Sequence, residues 1–244
     1  MCGRYDLDLE GKINSLRTRY FIEGDIPPLQ SNYNVSPTQT MPVVTQNSPN
    51  KIVLMKWGII PPWKTILFNI RDDSMLKKPW TKPYHQNRCI VVASGFYEFM
   101  KAGKERIPYR FGVEKEDFIS LAGVYSEVDG VLYYSIITTE ANEVVGKIHP
   151  RMPVILLPQE EHKWLDRAIP FKNLADIVTP YPEDMMVCYE VSRRVNNASN
   201  NDRYLTLPLS ADKEKYPQDD HIGRHHQNFQ VPEEPEFTRE KVDE

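Results

Sequence analysis

The chain is short of cysteine, of glycine-rich turns and of long apolar runs. Cys2, Cys89 and Cys188 are the three cysteines in 244 residues, and none stands in C-x-x-C spacing. That excludes a disulfide framework or a cysteine-built zinc cluster and leaves free thiols. No run approaches the ~20 apolar residues that cross a bilayer. The first residues also lack the basic start and apolar stretch of a secretory signal, so a soluble cytoplasmic protein with no membrane partner is expected. Glycine forms no phosphate-cradling loop, no segment repeats at a fixed period, and strands do not alternate with helices. These absences argue against a doubly wound nucleotide fold. His225-His226, the one histidine pair, lies in a polar stretch and reads as solvated, so no metal or cofactor is expected.

The formal charge of −4 is unevenly distributed. Residues 210–244 hold ten acidic and five basic side chains, which leaves 24 acidic against 25 basic in residues 1–209. A near-neutral body can carry a local basic groove, so net charge neither requires nor forbids a nucleic-acid partner. Apolar density falls after Leu209, where Pro, Asp, Glu, His and Gln dominate. Residues 2–209 are therefore read as one domain and 210–244 as an acidic, extended or mobile tail.

Leu9, Ile13, Leu16, Tyr20 and Phe21 recur at helical intervals, which predicts an amphipathic helix over 8–21. Pro27-Pro28 breaks the chain, and Tyr33-Asn34-Val35-Ser36-Pro37 reads as an extended piece ending in a turn. Strands are expected at 41–45, 52–57, 90–93, 109–113, 118–125 and 131–138. Asp129-Gly130 between two alternating apolar runs signals an antiparallel hairpin. Helices are expected at 158–168 and 171–178. The fold class is α+β: a single domain with a largely antiparallel, barrel-like β core and a few flanking helices.

Met1-Cys2-Gly3-Arg4 opens the chain, and cysteine is small enough for ordinary methionine removal. Cys2 would then carry an α-amine with pKa ~7.7–8 and a thiol with pKa ~8.5 on adjacent carbons. Such an aminothiol condenses with an aldehyde through an imine and closes a five-membered thiazolidine; alternatively its amine serves as base while the thiol attacks an acyl group. Three further runs carry polar groups beside apolar flanks: Asn69, Arg71, Asp72 and Asp73; Glu98 among Phe96, Tyr97 and Phe99; and His149-Pro150-Arg151 before an apolar strand.

Together these segments resemble the SRAP family, named for SOS-response-associated peptidases and known for shielding abasic sites. The resemblance rests on Met-Cys-Gly-Arg, Tyr-Asn-Val-Ser-Pro at 33–37, Trp57-Gly58 leading to Pro61-Pro62-Trp63, Asn69-x-Arg71, and Gly95-Phe96-Tyr97-Glu98. It continues with His149-x-Arg151-Met152-Pro153 and Val191-Ser192-Arg193-x-Val195, in the family's order. It implies that Cys2 attacks the open-chain aldehyde of an abasic deoxyribose in single-stranded DNA, giving a covalent thiazolidine. Asn69 would hold the amine or the sugar, Glu98 would shuttle protons, and His149 would assist at the sugar oxygen and in reversal. Arg4, Arg71 and Arg151 match phosphate-holding positions, and Pro37 and Trp63 match positions lining the DNA path.

Three of these segments depart from the family pattern. The usual Asn-Ala-Arg-x-Glu is here Asn69-Ile70-Arg71-Asp72-Asp73, and the Trp that often follows the glutamate is Phe99. Pro150 replaces Asp between His149 and Arg151, removing an acidic partner and a backbone N–H, so a changed histidine orientation is expected. Rival readings are an N-terminal cysteine amidohydrolase, a peptidase using Cys2, Glu98 and His149, and a non-catalytic reader of modified or single-stranded DNA.

Overall fold

A computed structural model of the protein describes residues 2–209. The reading of 210–244 as a mobile tail, with its histidine pair, lies outside the described residues. In chain order the elements are β1 (Tyr5–Leu7), α1 (Ile13–Arg19), β2 (Asn32–Val35), β3 (Thr40–Thr45), β4 (Ser48–Trp57), β5 (Asn69–Arg71), α2 (Asp72–Lys77), β6 (Arg88–Ala93), β7 (Gly95–Ala102) and β8 (Glu105–Val113). There follow β9 (Ile119–Val128), β10 (Val131–Glu140), α3 (Glu143–Gly146), β11 (Arg151–Pro153), β12 (Ile155–Leu156), α4 (Glu161–Leu165) and β13 (Met186–Glu190).

The strands form two sheets. One runs β13-β8-β7-β1-β2. In the other, β10-β4-β3-β6-β9 closes on itself because β9 also pairs with β10. The result is a five-stranded barrel, antiparallel except at the β4–β10 seam. Closure leaves no edge within the ring. It also explains why β6 reads as a continuous apolar run instead of an alternation: every residue from Arg88 to Ala93 is buried, one face in the barrel and one beneath the covering segments. The expected α+β architecture is the observed one.

Asp129 and Gly130 both adopt positive φ, 52° and 76°, which lets a two-residue turn join β9 to β10 with Val128 opposite Val131. The first helix is shorter than its periodicity suggests. It occupies only Ile13–Arg19, has no side-chain N-cap, and follows Gly11 at φ 70°. Leu16 and Tyr20 are buried, but Phe21 at its end is 82% exposed. The stretch expected as a helix over 158–168 divides into a 3-10 turn and α4, while the piece at 171–178 is a 3-10 turn over Phe171–Leu174.

Arg88, the largest buried cation, satisfies its charge with carbonyls. It donates to Trp164 at 2.5 Å, Asp166 at 2.5 Å and His85 at 2.7 Å, tying the end of α4 to the barrel. Between the two sheets, Trp57 packs against Tyr5 and Tyr134, whose hydroxyls meet at 2.7 Å. That pair joins β1 of one sheet to β10 of the other, directly below the candidate site.

Candidate functional site

Four segments converge on the start of β1. Tyr5 pairs with Phe96 and Asp6 with Gly95, and the Tyr97 amide donates to the Arg4 carbonyl at 2.9 Å. This register lays residues 2–4 along the Tyr97-Glu98 stretch of β7. Meanwhile β5 runs parallel to β10, with Asn69 opposite Ile136, and β11 runs antiparallel at the far end of β10, with Arg151 opposite Glu140. Asn69 and His149 are thus delivered by neighbours of one strand.

Gly95 is needed for this docking. A Cβ there would lie 2.6 Å from Nη2 of Arg110 and from the carbonyl oxygen of Phe111. Arg110 in turn makes a two-point ion pair with the fully buried Asp6, 2.9 Å at each contact. The pair clamps β1 to β8 across β7 and sits four residues from Cys2. With the carboxylate buried, breaking it would strand a charge.

Cys2 is fully buried, with its Sγ 3.8 Å from the Arg4 carbonyl. Burial, reinforced by the Glu98 charge, pushes its thiol pKa up. Asn69 Nδ2 donates to the Cys2 carbonyl at 2.8 Å, so the amide holds the cysteine main chain; its Oδ1 is buried without a partner. Glu98 is buried as well, and desolvation pushes its pKa up to about 7. His149 Nδ1 stands 3.9 Å from Glu98 Oε1. Burial pushes the histidine pKa down.

Pro150 does not leave the histidine without a backbone donor. The Arg151 N–H points to His149 Nδ1 at 3.1 Å, two residues along the chain instead of one. The same Nδ1 also lies 3.0 Å from the Arg151 carbonyl, so Arg151 can anchor either neutral tautomer, donating to a bare Nδ1 or accepting from a protonated one.

The residues assigned to DNA occupy unlike environments. Arg71 is 54% exposed and forms a forked pair with Asp73 at 2.9 and 3.0 Å. Arg4 is half-buried and donates to Asn34 Oδ1 and the Val195 carbonyl. Arg151 is the least exposed of the three arginines expected to hold phosphate. It is 9% exposed, and its guanidinium is bound by Asp72 at 2.8 Å and by the Thr138 carbonyl. Trp63 is half-exposed, edge-on to Trp80 at 5.3 Å. Pro37 is half-buried and precedes Thr38, whose φ of 76° is strained for a β-branched residue. Sequence reasoning gave no role to Asn34, though it stands inside the 33–37 run, nor to Asp72 beyond its place in the polar run with Asn69, Arg71 and Asp73.

Among the described residues no group of three His, Cys, Asp or Glu side chains is placed to hold a metal ion. No helix among them is long and apolar enough to cross a membrane.

In class, this is an α+β barrel protein whose buried cysteine, raised carboxyl and neutral histidine meet where the two sheets abut. It belongs to the SRAP family: the family model described as SOS response associated peptidase matches residues 1–198. The chain is 34% identical over 223 residues to the abasic site processing protein YoqW of Bacillus subtilis, covering 82% of this chain and 96% of that one. It is 33% identical over 225 residues to YoaM, another abasic site processing protein of the same organism, covering 84% and 97%. Among solved structures, a Bacteroides thetaiotaomicron protein superimposes with a TM-score of 0.71 at 27% identity, covering 80% of this chain and 94% of its own.

Proposed function

We propose that this chain recognises abasic sites in single-stranded DNA and shields them by a covalent thiazolidine crosslink through Cys2, once Met1 is removed. The observation that carries the reading is the convergence of Cys2, Asn69, Glu98 and His149 from four distant segments, with Glu98 titrating near neutrality. The names of the curated relatives support the substrate.

The chemistry balances without a cofactor. The freed α-amine of Cys2 attacks the C1′ aldehyde of the ring-opened sugar, and loss of water gives an imine. The sulfur then adds to the imine carbon, the imine nitrogen takes up a proton, and the five-membered ring closes. Each stage needs a group that both gives and takes a proton near pH 7, which suits Glu98. A buried thiol with a raised pKa is a poor thiolate in the resting state, so a nearby base is required. Asn69 fixes the Cys2 carbonyl and offers its partnerless Oδ1 to the new amine or the sugar. His149, neutral, serves the sugar oxygen. Arg4 and Arg71 face phosphates, Trp63 and Pro37 line the strand, and Arg151 acts from inside through Asp72 and its own N–H to His149.

The test is incubation with abasic and intact single-stranded oligonucleotides, followed by denaturing electrophoresis. Wild-type protein is expected to leave an adduct on the abasic strand that survives without reductant, with the strand uncut. Cys2→Ala retains the amine and should give only a labile imine, trapped by borohydride, with strand cleavage by β-elimination. An N-terminal extension that cannot be removed should abolish both. An equally durable adduct from Cys2→Ala or from the extended protein overturns the aminothiol mechanism.

A further inference from the structure

The β2 residue Asn34 is 1% exposed, and both ends of its side chain are in use. The two hydrogens of Nδ2 serve three carbonyls, Asn200 at 2.8 Å, Asn197 at 3.0 Å and, as a shared contact, Val195 at 3.3 Å. Oδ1 accepts from Arg4 Nη1 at 2.6 Å. This set fixes the amide's orientation, because the reverse flip would oppose oxygen to three oxygens and an NH2 to a guanidinium.

The consequences for Arg4 are specific. Nη1 spends its hydrogens on Asn34 and on Val195 at 2.8 Å. Nε is buried without a partner, and Nη2 has no hydrogen-bond partner among the described residues. Nη2, the nitrogen engaged neither by Asn34 nor by Val195, is the one left to donate to a phosphate oxygen, while Nε faces the interior. Among the described residues no carboxylate pairs with Arg4, in contrast to Arg71 and Arg151, so its charge stays uncompensated.

We infer that Asn34 is a positioning residue for DNA: a neutral acceptor that holds Arg4 by Nη1, keeps its charge available and leaves Nη2 for a phosphate oxygen. The same side chain pins the 195–200 segment to β2, so the backbone supplying the second Arg4 acceptor is set by the same amide. The inference rests on the reading of Arg4 as a phosphate contact.

The experiment measures binding of the mature protein to an intact single-stranded oligonucleotide across a salt series, with thermal melting in parallel. Asn34→Ala is expected to bind about ten-fold more weakly at low salt, with the log K against log salt slope shallower by up to ~0.7, the increment of one phosphate on a single strand. Arg4→Ala should show the same change, and the double variant should add nothing further to it. Asn34→Asp, which keeps the acceptor but cancels the charge, should also flatten the slope. A purely structural Asn34 would lower the melting temperature, leave the slope of Asn34→Ala untouched, and weaken binding equally in the Arg4→Ala background. A flattened slope in Arg4→Ala with a wild-type slope in Asn34→Ala overturns the inference alone. An unchanged slope in Arg4→Ala overturns the phosphate reading and the inference with it. Should Asn34→Ala fail to fold, side-chain nitrogen NMR of the wild type decides: hindered rotation of the Arg4 guanidinium supports the inference, and a freely rotating one overturns it.

Discussion

Nδ1 of His149 stands 3.9 Å from Oε1 of Glu98, and burial drives the two groups toward their neutral forms, the carboxyl up to about 7 and the imidazole downward. Near neutral pH Glu98 can therefore take or give a proton, next to an imidazole that is neutral, with one nitrogen protonated and the other bare. Two acid–base groups separated in this way can exchange roles through a catalytic cycle.

Glu98→Gln should slow adduct formation by roughly 10²–10⁴-fold while leaving affinity for intact single-stranded DNA near wild type. The wild-type rate should also carry an apparent pKa near 7 that the variant lacks. Rate profiles from about pH 5 to 9 check both. A variant rate and profile matching wild type would reduce Glu98 to a structural part.

The same carboxyl affects stability, and the sign follows from the direction of its shift. Because its folded pKa is raised, the folded chain binds the proton more tightly, so the contribution is present below the unfolded value of ~4.3 and lost as pH rises through about 7. Denaturation at about pH 4 and pH 8 should show wild type losing on the order of 3 kcal/mol relative to Glu98→Gln. A constant difference between the two proteins would contradict the shift.

Asp73 holds Arg71 in a two-point pair that a phosphate must displace. Asp73→Asn should therefore bind single-stranded DNA several-fold more tightly at low salt, with the advantage shrinking as salt screens it. Equal affinities across the salt series would show that the carboxylate does not compete.

Asp6→Asn should cost about 3–5 kcal/mol in chemical denaturation, since it leaves the Arg110 guanidinium buried with half its partner gone. Loss of crosslinking should accompany it, because the strand carrying Cys2 is what the pair clamps. A cost under about 1 kcal/mol would mean that water reaches the pair.

How much of this was legible in the chain divides by range. The turn at Asp129-Gly130 and the apolar run at 90–93 are local signals, and both elements stand where the sequence puts them. Strand β7 was hidden because Gly95-Phe96-Tyr97-Glu98 reads as a motif, not as alternation, until the buried Glu98 is explained by its place beside Cys2. The helix over 8–21 was overread: periodicity proposed it, but Gly11 and the missing cap shortened it to seven residues. The four chemical residues came from motif order. The partners of the arginines did not, since nothing local in Asn34 or Asp72 says that one meets Arg4 and the other Arg151.

The closed barrel also sets when the chemistry can begin. Cys2 leads the chain, whereas β10 and β11, which hold Asn69 and His149 in register, are more than a hundred residues further on. Pairings of such long range form late, after the loops between them have been closed. An emerging or unfolded chain thus has an aminothiol of ordinary reactivity, exposed to every aldehyde in its surroundings and assisted by none. On the reading proposed here the assisted nucleophile exists only in the finished barrel, so misfolding and loss of that assistance are one event.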